Sequence, residues 1–147
     1  MLWTFRFLPF LLLFTTAAPV QSELTIDKIG KDAVRPGGGV KTVAFTAMLE
    51  GVVADPNLSV YVLVKSKSAA GERAFAAAVD GSRPDPAGGY RWRAVCQFGE
   101  LMGTAGGSYE AQAAAISSAG IQRGKLLETL KAGKVKSDVI TVRRVNN

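Results

Sequence analysis

Between Tyr90 and Phe98 the side chains alternate without a break. Tyr90, Trp92, Ala94, Cys96 and Phe98 fall on one face, and Arg91, Arg93, Val95 and Gln97 fall on the other. Successive side chains of an extended backbone point to opposite sides, so a period of two marks a strand with one face buried. Tyr90, Trp92, Cys96 and Phe98 are therefore the expected structural core, with Arg91 and Arg93 on the outward side. Weaker versions of the pattern flank this strand. Residues 24–29 alternate loosely, Val43, Phe45, Ala47 and Leu49 alternate with Ala44, Thr46 and Met48, and Tyr109, Ala111, Ala113 and Ala115 oppose Glu110 and Gln112. The β-branched run 60–64 is apolar on both faces and suits a central strand covered on each side. Residues 73–79 are a poorer strand because alanine has little strand preference, and 139–145 supply a last one.

Turn chemistry separates these runs. Gly30, Pro36-Gly37-Gly38-Gly39, Asp55-Pro56-Asn57, the stretch 80–89, Gly99 and Gly103-Thr104-Ala105-Gly106-Gly107 all carry residues that break regular structure. One segment departs from the pattern. Ser117 and Ser118 can cap a helix with Ile121, Leu126, Leu127 and Leu130 on its apolar side, ending at Gly133. Gly124 weakens that helix by about 1 kcal/mol relative to alanine. About seven strands with frequent Gly and Pro turns predict an all-β, antiparallel sandwich over residues 23–147, a single domain with a short helical insertion near 118–133.

Residues 1–22 predict a signal peptide. Arg6 precedes an apolar run that reaches Val20 without another charge. A spanning helix needs about 20 apolar residues, more than this run offers. Val20 and Ser22 place small residues before a cut ahead of Glu23, with a cut after Ala17 as the second choice and an uncleaved anchor as the alternative. The expectation is export to the periplasm or the extracellular space, with no integral membrane segment after cleavage. The chain has 18 basic and 12 acidic residues, a net charge of +6. That balance favours acidic partners, and export argues against nucleic acid as one of them.

The residue inventory excludes several chemistries. There is no histidine and one cysteine, so Ser-His-Asp and Cys-His catalysis, imidazole metal sites, thiolate zinc sites and an internal disulfide are all impossible. No cofactor is expected. Cys96 lies on the bulkiest apolar face, where a free thiol is a small inert hydrophobe. Gly37-Gly38-Gly39-Val40-Lys41-Thr42 fails as a phosphate loop because Val40 separates glycine from lysine and a strand follows. Asp80, Ser82 and Asp85 offer oxygens to calcium, but Asp-Gly and Asp-Pro are ordinary turn formers. Asn57-Leu58-Ser59 fits a glycosylation acceptor in a eukaryotic secretory route. Acid–base chemistry would have to draw on Glu50, Asp55, Asp80, Asp85, Glu100 and Glu110, and nothing in their spacing brings two together. The basic residues form a candidate face for an anion or a partner. Arg91 and Arg93 project together from one strand, with Lys131, Lys134 and Lys136 and the pair Arg143-Arg144 elsewhere. The competing reading is a solvated face that keeps the sheet soluble.

Gly88-Gly89-Tyr90-Arg91-Trp92-Arg93, then Gly99, then Gly107-Ser108-Tyr109-Glu110-Ala111 resembles the G-x-W…G…G-x-Y-x pattern of bacterial extracellular immunoglobulin-like modules. The resemblance covers residues 24–116 and the final strand, leaves the helical stretch unexplained, and departs from antibody-type domains in lacking paired cysteines. It implies adhesion, surface display or spacer roles and no catalytic residues. The sequence thus predicts a non-catalytic exported interaction or structural module of the cell envelope, binding a protein or an anionic polysaccharide. The alternative is a small secreted hydrolase or enzyme inhibitor on the same scaffold.

Overall fold

A computed structural model describes residues 23–35, 37–68, 70–100, 106–122 and 124–145. The expected signal segment, residues 1–22, lies outside them. The strands are β1 (Leu24–Ile29), β2 (Asp32–Ala33), β3 (Lys41–Val43), β4 (Thr46–Val53), β5 (Leu58–Ser66), β6 (Glu72–Ala76), β7 (Ala78–Pro84), β8 (Tyr90–Gln97), β9 (Ser108–Ser117), β10 (Val135–Lys136) and β11 (Ile140–Arg144), with one helix, α1 (Leu126–Ala132). Sheet one runs β2-β1-β4-β8-β7, and sheet two runs β3-β11-β9-β5-β6 with β10 also on β9. Every pairing is antiparallel except that of β3 with β11. With the two- and three-residue strands β2, β3 and β10 set aside, the order is β1-β4-β8-β7 facing β11-β9-β5-β6, an all-β sandwich of two sheets.

The alternation read from the sequence decides which side chains meet between the sheets. From sheet one, Leu24, Ile26, Leu49, Val53, Trp92, Ala94 and Cys96 point inward, joined by Phe98 just beyond β8. Sheet two answers with Val60, Val62, Val64, Ala111, Ala113, Ala115 and Val142 in the same cluster. The fully buried residues that β9 adds to this layer are alanines, and its largest side chain, Trp92, comes from β8. The indole of Trp92 lies over Gly51, the residue opposite it on β4. Phe98 meets Tyr109 edge to face, with ring centroids 5.8 Å apart, and Tyr90 is half-buried against the same core.

Sheet two is covered on its second face as well. Leu63 on β5, Ala114 and Ile116 on β9 and Leu130 on α1 form a smaller buried cluster, so β5 is the doubly covered strand that its apolar run predicts. The salt bridge from Lys131 to Glu72 (2.6 Å) ties α1 to β6. Sheet one has no such cover among the described residues.

The structure differs from the sequence-based expectation in its details. Eleven strands are present among the described residues rather than about seven, because two- and three-residue edges are held by pairing with neighbours and not by local preference. The alternating run 43–49 is split between the sheets: β3 ends at Val43 and β4 begins at Thr46. The stretch expected as loop, 80–89, holds most of β7, whose register with β8 breaks between Val79 and Pro84, so that Asp80–Arg83 bulge away from the ladder. The expected helix shrinks to a 3₁₀ turn at Ser118–Gly120 and the seven residues of α1. Gly124, at φ 83°, breaks the backbone between them, and Ser117 makes no side-chain capping bond. The helix does end at Gly133.

Candidate functional site

The uncovered face of sheet one carries Arg91 and Arg93. The pleat of β8 turns Trp92, Ala94 and Cys96 into the core and leaves Arg91, Arg93 and Val95 exposed. The guanidinium of Arg91 is already held. Nη2 donates to Asp27 Oδ1 at 2.9 Å and Nη1 to Asp27 Oδ2 at 3.1 Å, a two-bonded fork, and Nη1 also reaches Asp85 Oδ2 at 3.4 Å. The bonds to Asp27 raise the Arg91 pKa above its ordinary value, burial opposes them, and Asp85 adds in the same sense.

Two local features deliver those carboxylates. The register of β1 against β4 shifts between Ile26 and Lys28, a bulge at Asp27. The extra residue lets two consecutive side chains serve one face. Asp27 reaches Arg91, and Lys28 Nζ sits 3.7 Å from Glu50 Oε2. Asp85 is set by the turn before β8, where it accepts from the amide of Ala87 (2.9 Å) and its own amide donates to Gly89 O (2.7 Å). Gly89 has φ 77°, and a side chain there would come within 2.5 Å of Val52 Cγ1. Only glycine lets this turn lie against β4.

The register of β4 with β8 sets the rest of the face in rows. Glu50 lies opposite Arg93, Met48 opposite Val95, and Thr46 opposite Gln97. Met48 and Val95 are 39% and 54% exposed, an apolar pair between the polar rows Thr46–Gln97 and Glu50–Arg93. Beside Arg93 the bulged β7 makes a depression lined by Glu50, Asp80, Arg83, Asp85, Arg91 and Arg93. Hydrogen bonds from the hydroxyl and amide of Ser82 hold the Asp80 carboxyl below its ordinary pKa. The charged groups of the face are Lys28, Arg83, Arg91 and Arg93 against Asp27, Glu50, Asp80 and Asp85. These eight cancel, so acidic groups stand beside the arginines of this face.

The other candidate residues are dispersed. Asp80 serves Ser82 and Asp85 serves Arg91, so the residues considered for calcium do not turn toward one point. Lys41 opens β3, and Gly37, Gly38, Gly39 and Val40 line a cleft with residues 24–27 and 138–141. Lys131 pairs with Glu72. Arg144 is not on the surface at all: it is buried, stacks over Phe45 at 5.0 Å, and donates to the carbonyls of Phe98 and Glu100. Among the described residues no three acidic or cysteine side chains gather as a metal site, and no helix is long and apolar enough to cross a membrane. Sequence reasoning did not pair Arg91 with Asp27. The available signal was the spacing of Ile26 and Ile29, two apolar residues with two polar ones between them, which a regular strand cannot bury together.

Cys96 is fully buried, and loss of solvent pushes its thiol pKa from 9.0 up to about 12. The folded protein should resist thiol reagents at neutral pH and react fully once denatured; rapid labelling of the native state would contradict the burial. The unfolded thiol ionises first on raising pH. Stability should therefore be unaffected by Cys96 below about pH 9 and fall between about 9 and 12, a loss that Cys96→Ala removes.

Comparison with protein-family models, with curated proteins and with solved structures gives no match for this chain.

Proposed function

We propose that the mature chain is a non-catalytic interaction module, exported by its N-terminal segment, and that the open face of sheet one docks a protein. The observation that carries this reading is the asymmetry of the sandwich: α1 covers sheet two, while sheet one presents Met48 and Val95 between the polar pairs Thr46–Gln97 and Glu50–Arg93. An apolar centre with a polar rim is the usual anatomy of a protein contact. An anionic polysaccharide fits less well, because Asp27 and Asp85 already occupy Arg91 and Glu50 stands opposite Arg93. A hydrolase needs two carboxyl groups facing a substrate, whereas Asp27 and Asp85 converge on a guanidinium. Immunoglobulin-like adhesion and display modules, which the sequence pattern around Trp92 and Tyr109 resembles, share this kind of role.

Photo-crosslinking tests the face directly. A crosslinker placed at Val95 should capture protein in the source cells, and one placed at the exposed Lys134, away from sheet one, should not. Equal capture at both positions would refute the reading. Retention on an anionic polysaccharide column should be nearly unchanged by Arg91→Ala/Arg93→Ala and should increase in Asp27→Asn/Asp85→Asn, which frees Arg91. N-terminal sequencing of protein recovered outside the cytoplasm should begin at Glu23.

A further inference from the structure

We infer that the partner of this face is a second copy of the chain, an inference that rests on reading the face as an interaction surface. The first argument is charge. The whole chain carries +6, and the eight charged groups on the open face of sheet one cancel. The excess positive charge, of which Arg6 belongs to the expected signal segment, therefore lies outside these eight groups, so two copies repel through the rest of their surfaces. They can approach closely through the neutral face, since exposed charges act over about 8 Å at physiological ionic strength.

The second argument is self-complementarity. A two-fold axis parallel to the strands and passing between β4 and β8 lays β4 of one copy over β8 of the other. Three of the four outward rows then match, Thr46–Gln97, Met48–Val95 and Glu50–Arg93, while the fourth sets Val52 against Arg91, whose guanidinium is held by Asp27. Met48 packs on Val95 of the partner subunit, Glu50 meets Arg93 of the partner subunit, and each contact occurs twice. This is the isologous contact that closed dimers use. A random mixture of charges would not give it. It follows from the register, which sets an acidic residue directly across from a basic one and an apolar residue directly across from another.

The third argument is area. Four strands about 4.8 Å apart and roughly eight residues long at about 3.3 Å per residue offer about 500 Å² in projection. Two copies bury about 1,000 Å² together, at the low end of specific interfaces. The dimer is accordingly reversible, with a dissociation constant of roughly micromolar or weaker.

Sedimentation equilibrium of the purified mature protein over a wide concentration range tests this. The expected result is a monomer–dimer equilibrium. Val95→Glu should weaken it at least about tenfold while leaving the melting temperature unchanged, because the position is exposed. Glu50→Arg and Arg93→Glu should each weaken it, since each sets like charges together twice, and the doubly reversed Glu50→Arg/Arg93→Glu should restore it to within about threefold of the parent. A dimer indifferent to Val95→Glu, or a double reversal that stays monomeric, would overturn the inference. So would a monomer at every concentration. In that case continued Val95 photo-crosslinking to a different protein would preserve the interaction face and remove only the second copy as its partner.

Discussion

Replacing Trp92 with alanine is expected to lower the unfolding free energy by about 3 to 5 kcal/mol and the melting temperature by roughly 10 to 20 °C. Trp92 is the largest fully buried side chain among the described residues and sits at the centre of the layer between the sheets. The alanines of β9 cannot move in to fill the space it would leave. Phenylalanine at the same position should be far milder. The indole Nε1–H is buried with no hydrogen-bond partner among the described residues, and an unsatisfied buried donor costs about 1 to 3 kcal/mol. Trp92→Phe gives up part of the packing and removes that penalty, so a net loss below about 2 kcal/mol is expected. Urea denaturation of the three proteins separates these effects. An alanine variant melting within a few degrees of the parent would mean that the indole is not in the core.

Gly51→Val should be as damaging for the opposite reason. A β-carbon at Gly51 would overlap the backbone carbonyl oxygen of Thr25 on β1 and come within 2.7 Å of Trp92 Cζ2. The first neighbour is backbone and the second is a ring wedged in the core, so neither can rotate aside. β1 would have to lift from β4 or Trp92 would have to leave its site. Overpacking a core costs about 1 to 3 kcal/mol when side chains alone adjust, and the backbone contact places this substitution at or beyond the upper end. Gly51→Ala should already show most of the loss, because the β-carbon itself makes both contacts. Circular dichroism melts check the pair, and an alanine variant of parental stability would show that β1 and β4 are not as close as described.

The parts of the fold legible in the sequence are those where local pattern and tertiary demand agree. The alternation from Tyr90 to Phe98 identified the inner face of β8, and the unbroken apolar run of 60–64 identified β5 as covered on both sides. Positions where neighbours decide were less legible. Asp80 to Pro84 looks like loop because Asp, Gly, Ser and Pro cluster there, yet Pro84 pairs with β8 as Ala78 and Val79 do, and the residues between are carried as a bulge. The candidate face shows the same division. That Arg91 and Arg93 share one side of a strand follows from the period of two. That Asp27 cancels Arg91 depends on a contact 64 residues away in sequence and on a bulge in a different strand. Charge read along a chain counts residues, and only the folded register shows which of them neutralise one another.

The parallel pairing of β3 with β11 sets the order in which the molecule can be completed. Val142 pairs beside Lys41, Arg143 beside Thr42 and Arg144 beside Val43, across roughly a hundred residues of intervening chain. A chain emerging N-terminus first can assemble β1, β4 and β8 early, but β9 keeps an open edge until β11 arrives. Topologies dominated by such distant contacts fold in milliseconds to seconds, not microseconds. During that interval the unpaired edge of β9 is a template for any other extended segment, including β11 of a neighbouring chain. The nascent protein is therefore most vulnerable to exchanging strands after β9 is made and before β11 follows, and a delay in that interval matters more to its fate than an equal delay earlier.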